Sequence, residues 1–334
     1  MNEAGDIVAT LRSLGMVPKG ADPQLMRLPG GVSSDVFRAD LPTGPVCVKK
    51  VLAKLNVSAD WRAPIGRVHS EAAWFRFAGR IAPGSVPTVL AEDRASHLFV
   101  MNYFDPETHP CWKNLLRDGV VDPAFAGRLG EIIAHIHRAA AGSKAVQDDF
   151  ANREFFMALR IDPYLLTAAR AHPDRSDRIR AIADELGHSR ISLMHGDLSP
   201  KNILAGPKGP IILDAETACY GDPAFDLAFC LNHLLLKCVW KPEHISGYCA
   251  SFASLRDAYL SRTDWEEAHA LERRASALLG ALLLARIDGK SPVEYLTAPR
   301  DLDFVRTAAR DYLVRPELTL EDIRQDWQTR MLAR

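Results

Sequence analysis

His195-Gly196-Asp197-Leu198-Ser199-Pro200-Lys201-Asn202, followed a dozen residues later by Asp214-Ala215-Glu216, is the most informative stretch of the chain. Between its two halves the apolar runs Ile203-Leu204 and Ile211-Ile212-Leu213 flank the turn Gly206-Pro207-Lys208-Gly209. This pattern predicts a hairpin with polar chemistry at both ends. It brings two carboxylates and an amide oxygen around one small space. Hard oxygen donors of that kind suit Mg²⁺ rather than zinc or copper, so Asn202 and Asp214 are the candidate metal ligands. Asp197, left without a metal, is the candidate base that accepts a proton from an attacking hydroxyl. Glu216 shares a strand face with Asp214 and suits either a second metal or solvent.

Working outward, residues 1–102 and 103–334 read differently and predict two lobes. A short amphipathic helix (Ile7, Leu11, Leu14) precedes β-type runs from Leu25 to Val51 with a turn at Pro42-Thr43-Gly44. A helix around Ser70 to Phe77 and two strands, Val86 to Leu90 and His97 to Met101, follow, with a turn at Glu92-Asp93-Arg94. Beyond Asp105 the pattern is mainly helical: Phe125, Leu129, Ile132, Ile133 and Ile136 form one stripe, and Phe225 to Leu236 and Ala275 to Ala285 are apolar nearly all round. The expectation is an α+β architecture of a small sheet lobe and a large helical lobe. At 334 residues the chain exceeds what one core usually serves.

Composition excludes several classes. With 47% hydrophobic and 25% charged residues the chain is globular rather than disordered or fibrous. A formal charge of −1 gathers no polyanion, and the six scattered tryptophans build no stacking platform, so nucleic acid is not an expected partner. No apolar run approaches the roughly 20 residues that span a bilayer. Met1 to Met16 lacks the basic start and apolar run of a secretory signal, and the six cysteines show no CxxC spacing; both point to a reducing cytoplasm with free thiols. Oligomeric state is expected to be monomer or homodimer.

HGDLSPKNIL, then ILDAE, then Gly221-Asp222-Pro223 with Asp226-Leu227-Ala228, resembles the aminoglycoside phosphotransferase and choline kinase superfamily. The resemblance runs from Leu28 to about Leu236. It implies a bilobal protein-kinase-like fold and an ATP-dependent kinase for a small molecule. His195-Gly196-Asp197 stands in place of the protein-kinase HRD, and no APE segment follows, which disfavours a protein kinase.

Such a site needs backbone donors for phosphates, and Gly30, Gly31, Ser33 and Ser34 offer two glycines and two hydroxyls between strands. It also needs a lysine on the third strand. In Val46-Cys47-Val48-Lys49-Lys50, alternation puts Cys47 and Lys49 on one face and Val46, Val48 and Lys50 on the other. With the valine face in the core, Lys49 points to the nucleotide and Lys50 outward. Glu71 is the expected partner of Lys49. Backbone at Asn102 and Tyr103, where kinase-like folds join their lobes, is expected to read adenine.

Other polar residues have plainer readings. His195 is expected to be a satisfied structural histidine, Asp222 and Asp226 loop anchors and caps, and His135 and His137 packing or surface residues. For the acceptor, acidic residues outnumber basic ones only slightly from Asp222 to Arg334, too few for a polycation wall. A neutral or anionic sugar-like alcohol is as plausible as an aminoglycoside. Arg286 and Asp288, at the end of an apolar helix, and Arg160 and Tyr164 are the substrate candidates. The alternative is a pseudokinase that binds nucleotide without turnover; the presence of Lys49, Glu71, Asp197, Asn202 and Asp214 counts against it.

Overall fold

In a computed structural model, residues 3–29, 34–51 and 65–334 are described. The first lobe is an antiparallel sheet of β1 (Gln24–Arg27), β2 (Ser34–Leu41), β3 (Gly44–Val51), β4 (Val89–Asp93) and β5 (Leu98–Asn102), in the order β1-β2-β3-β5-β4. The β2–β3 hairpin closes through the pair Leu41↔Gly44, so Pro42-Thr43 forms the turn, and Gly44 takes a φ of +115 that favours glycine.

Alternation along β3 sends its two faces into different cores. Val46 and Val48 pack with Phe37, Leu98 and Val100 against Ile7 and Leu11 of α1 (Glu3–Ser13). Burying each valine stabilises by about 1.5–3 kcal/mol. Cys47 joins the main core beneath α2 (Arg67–Ile81), with Trp74 and Phe75. Lys49 lies on this second face, 5% exposed, so it meets α2 directly rather than standing on an open wall.

β4 and β5 begin later than the sequence pattern suggests. Pro87 has no N–H to give a ladder, and Val86 is buried ahead of the strand. The Asp93 carboxylate accepts from the N–H of Ala95 and of Ser96, which moves the turn past Asp93 to a His97 at φ +51.

The second lobe is helical. Asp122 caps the helix Pro123–Ala140 by accepting from the Ala124 N–H, with Pro123 at the first helical position. Phe125, Leu129, Ile133 and Ile136 of that helix are buried, as are most side chains of Ala224–Trp240 and of Ala268–Asp288. The expected hairpin forms from β7 (Ile203–Gly206) and β8 (Gly209–Ile212). A second ribbon, β6 (Ser192–Met194) against β9 (Cys219–Gly221), was not legible in the sequence; its pair Met194↔Cys219 closes residues 195–218 into one loop. The cysteines are free thiols, all buried but the half-buried Cys111. Among the described residues, no helix is long and apolar enough to cross a membrane.

Candidate active site

The loop that β6 and β9 close is held from below by one buried carboxylate. Asp226 accepts from the N–H of His195 at 2.6 Å and of Gly196 at 2.8 Å, and His137 Nε2 lies 3.1 Å away. His137 Nδ1 in turn meets the Tyr259 hydroxyl at 2.7 Å. Burial opposes the charge on Asp226, but His137, His195 and the backbone donors hold it below the usual carboxylate range. Asp222 accepts from the Ala224 N–H and takes two bonds from Arg274. Both aspartates therefore anchor backbone.

His195 is fully buried. Its Nε2 faces the Leu213 carbonyl at 3.0 Å, which can only accept, so Nε2 carries the proton and Nδ1 accepts from the Asp197 N–H at 3.1 Å. Burial lowers its basicity, and the ring stays neutral with both nitrogens used. Gly196 has a φ of +80, and a Cβ there would meet Thr217 Oγ1 at 2.5 Å. Gly196→Ala is expected to cost about 1–3 kcal/mol and to displace Asp197. A lowered Tm together with a lowered turnover number checks this; a variant with unchanged Tm would contradict it.

Asp197 is 2% exposed, and one of its oxygens is crowded. Asn202 Nδ2 donates to Oδ2 at 2.8 Å, and Arg160 and Lys201 place cations at 2.9 and 3.2 Å from the same atom. Oδ1 receives no hydrogen bond from any described residue, so it is the oxygen left to accept a proton. Because Asn202 Nδ2 also bonds the Asp197 carbonyl, at 2.9 Å, the amide is fixed with its own oxygen free. Arg160 comes from Met157–Leu166, a π-helical stretch carrying Pro163, and is further fixed by the carbonyls of Gly196 and Leu159.

Asp214 sits at the other end of the hairpin with a φ of +67, a conformation rare for residues other than glycine, asparagine and aspartate. Its Oδ1 meets Lys49 Nζ at 2.5 Å, and Lys49 pairs with Glu71 at 2.7 Å, the partner expected from the sequence. Burial disfavours the Lys49 charge, but Asp214, Glu71 and Glu216 outweigh it and keep the ammonium. Asp214 is likewise held ionised by Lys49 and Lys201 against burial, whereas burial pushes Glu71 up to about 8 despite Lys49. Glu216 is not solvated: Arg67 Nε of α2 binds its Oε2 at 3.0 Å. Asn202, Asp214 and Glu216 each keep an oxygen without a described donor. That set fits Mg²⁺, which binds through one or two carboxylates, water and substrate phosphates.

Residues 24–271 match the phosphotransferase enzyme family. The chain belongs to that family. It is 28% identical over 247 residues to a methylthioribose kinase of Pectobacterium atrosepticum, covering 66% of this chain and 61% of that one. It is 24% identical over 244 residues to methylthioribose kinase 1 of Oryza sativa, covering 65% and 55%. The chain thus spans about three fifths of the length of these curated relatives. Among solved structures, a choline/ethanolamine kinase family protein from Mesorhizobium loti aligns at a TM-score of 0.52 and 20% identity, covering 98% of this chain and 99% of that one. Choline kinase from Cryptosporidium parvum aligns at 0.53 and 12%, covering 97% and 98%. These place the chain in the bilobal protein-kinase-like fold.

Within this family member the remaining candidates divide. Gly30, Gly31 and Ser33 lie outside the described residues. Ser34 opens β2, buried, with a hydroxyl that has no partner among the described residues. Asn102 ends β5, and its Oδ1 accepts from the Thr88 N–H; the Arg38 guanidinium lies 4.9 Å over the Tyr103 ring. Arg160, Tyr164 and Arg286 come together beside Asp197: Arg286 donates to the Tyr164 hydroxyl at 3.1 Å, and Arg160 lies 5.6 Å over the Tyr164 ring. Asp288 does not join them. It binds Arg306 at 2.7 and 2.8 Å and His172 at 3.0 Å, tying its helix to Pro299–Leu313. Sequence reasoning missed the clamp of Arg160 on Asp197 and the Arg67–Glu216 pair, because neither is local in the chain.

Proposed function

We propose that the protein is an ATP-dependent phosphotransferase that moves the γ-phosphoryl group to a hydroxyl of a small molecule. The observation that carries this reading is Asp197: one oxygen committed to three donors and the other free, beside Asn202 and Asp214. Asp197 orients the acceptor hydroxyl and takes its proton as the new O–P bond forms and the bond to the β–γ bridging oxygen breaks, releasing ADP. Lys49, held by Glu71, contacts the phosphates. Asn202 and Asp214 would hold Mg²⁺, which would supply positive charge to offset that building on the transferring group. Gly30, Gly31, Ser33 and Ser34 are the residues proposed to bind the phosphates, and the backbone of Asn102 and Tyr103 to receive adenine. On this reading residues 1–102 carry the nucleotide and residues 103–334 the acceptor, and the enzyme works in the cytoplasm as a monomer or homodimer.

ADP release in a coupled assay, scanned over sugars, amino alcohols and aminoglycosides with Mg²⁺, tests the reading. Acceptor-dependent ADP formation is expected; tight nucleotide binding with no release for any alcohol would favour the pseudokinase instead.

A further inference from the structure

The large lobe gathers buried positive charge that forms no ion pair with any carboxylate of the described residues; Glu294 acts on it only through space. Lys237, on the helix Ala224–Trp240, is 1% exposed and has no acidic oxygen of the described residues within ion-pair distance. Its ammonium lies 4.7 Å from the Trp240 ring centroid and 4.6 Å from that of Tyr295, and the two rings stack at 4.4 Å. Burial, reinforced by Lys113, pulls Lys237 down to about 8. Arg286 is 8% exposed and among the described residues bonds only neutral groups, the Tyr164 hydroxyl and Ser291, while its buried Nε has no partner among them.

His233, one turn before Lys237, completes the cluster. Its ring packs 5.4 Å from Phe229, which also lies against Arg160 and Tyr164. Burial first, then Arg286, Lys237, Lys201 and Lys113, keep His233 neutral. The acids nearby are already taken: Glu294 by Lys113, and Asp197 by Arg160 and Lys201. Buried cations without counter-charge are costly, and they persist where a ligand supplies the anion.

We propose that Lys237, Arg286 and His233 anchor a carboxylate or phosphate monoester on the acceptor, so that the substrate is an anionic polyol or hydroxy acid. This rests on the phosphotransferase reading and narrows it. The route from base to anchor is short: Arg160 touches Asp197 and Tyr164, and Tyr164 touches Arg286. A cationic acceptor is disfavoured by the same geometry. Stacked aromatic rings are where an alkylammonium ligand would settle, and here the chain's own Lys237 occupies them.

The test uses matched acceptors on one scaffold: glycerol, D-glycerate and sn-glycerol 3-phosphate, then ribose, ribonate and ribose 5-phosphate, with ethanolamine and glucosamine as amines. An anionic member is expected to exceed its neutral parent in kcat/KM by on the order of 100-fold, and the carboxylate and phosphate arms tell the two anions apart. Lys237→Met, which keeps the aliphatic stem over the rings, is expected to raise the anionic acceptor's KM at least about tenfold, and Lys237→Arg to restore part of the loss. Preference for a neutral or amine acceptor, or an anion preference that survives Lys237→Met, would overturn the proposal while leaving phosphotransfer intact. If no acceptor turns over, calorimetry with malonate and inorganic phosphate at saturating AMP-PNP decides: binding by the wild type and not by Lys237→Met supports the anchor, and equal or absent binding refutes it. Failure of AMP-PNP itself to bind would instead refute the phosphotransferase reading.

Discussion

Asp197→Asn is expected to lower kcat by about 10² to 10⁴-fold while ATP affinity stays near that of the wild type. Asparagine keeps the shape of the side chain and an oxygen for Asn202 Nδ2, but it cannot accept a proton. Lys49 and Asp214 do not touch Asp197, and the Asn202 amide that does keeps an oxygen to donate to in the variant. The variant also strips the buried Arg160 of its carboxylate, a loss worth about 3–5 kcal/mol when a buried pair is broken from one side. Its Tm is therefore measured beside its kinetics, and assays are run well below the transition. Near-normal turnover in folded Asp197→Asn would remove the general-base assignment, whatever the acceptor proves to be.

Asp214→Asn is the second large effect. Asparagine tolerates the φ of +67 at this position, so the variant changes charge without adding the backbone strain an alanine would bring. It removes the carboxylate proposed for Mg²⁺ and the closer of the two carboxyl groups on Lys49. A fall of on the order of 10² to 10³-fold in kcat is expected, together with loss of the Mg²⁺ dependence of nucleotide affinity. The sign of the pH effect follows from the depressed folded value of Asp214. Its stabilising pair with Lys49 is fully present above the ordinary aspartate range and is lost as pH falls through the folded value. The stability gap between wild type and variant should accordingly close in acid. Titration calorimetry with and without Mg²⁺ and acid unfolding curves check both parts; Mg²⁺-dependent binding retained by the variant would contradict the assignment.

How much of this was legible in the sequence depends on how local each feature is. The hairpin from Ile203 to Ile212 could be read because its turn and apolar runs are contiguous. Lys49 could be chosen over Lys50 because a strand has a period of two, and the valine face does pack against α1. Glu71 was found as an anion on the next helix, although its distance from Lys49 could not be. Arg160 was visible only as a residue that could reach the acceptor. Its hold on Asp197 depends on a π-helical turn around Pro163, which no periodicity announces. His137 lies at the end of an apolar stripe, and that spacing was the one signal that it is buried while His135 is exposed. Arg286 was read as a substrate candidate, but Lys237 escaped notice for a different reason. Lys237 and Arg286 both sit in the last turn of helices whose cores are apolar, where a cation usually faces solvent and the helix dipole, whereas here Tyr295 lies against Lys237 and Ser291 against Arg286.

The most direct measurement is a crystal structure with AMP-PNP and Mn²⁺, with the metal located by its anomalous signal. The account predicts Mn²⁺ between the free oxygens of Asn202 and Asp214, bridged to the β- and γ-phosphates, with Lys49 on the triphosphate and Asp197 Oδ1 facing the γ-phosphorus. A metal or triphosphate seated away from Asn202 and Asp214 would contradict it.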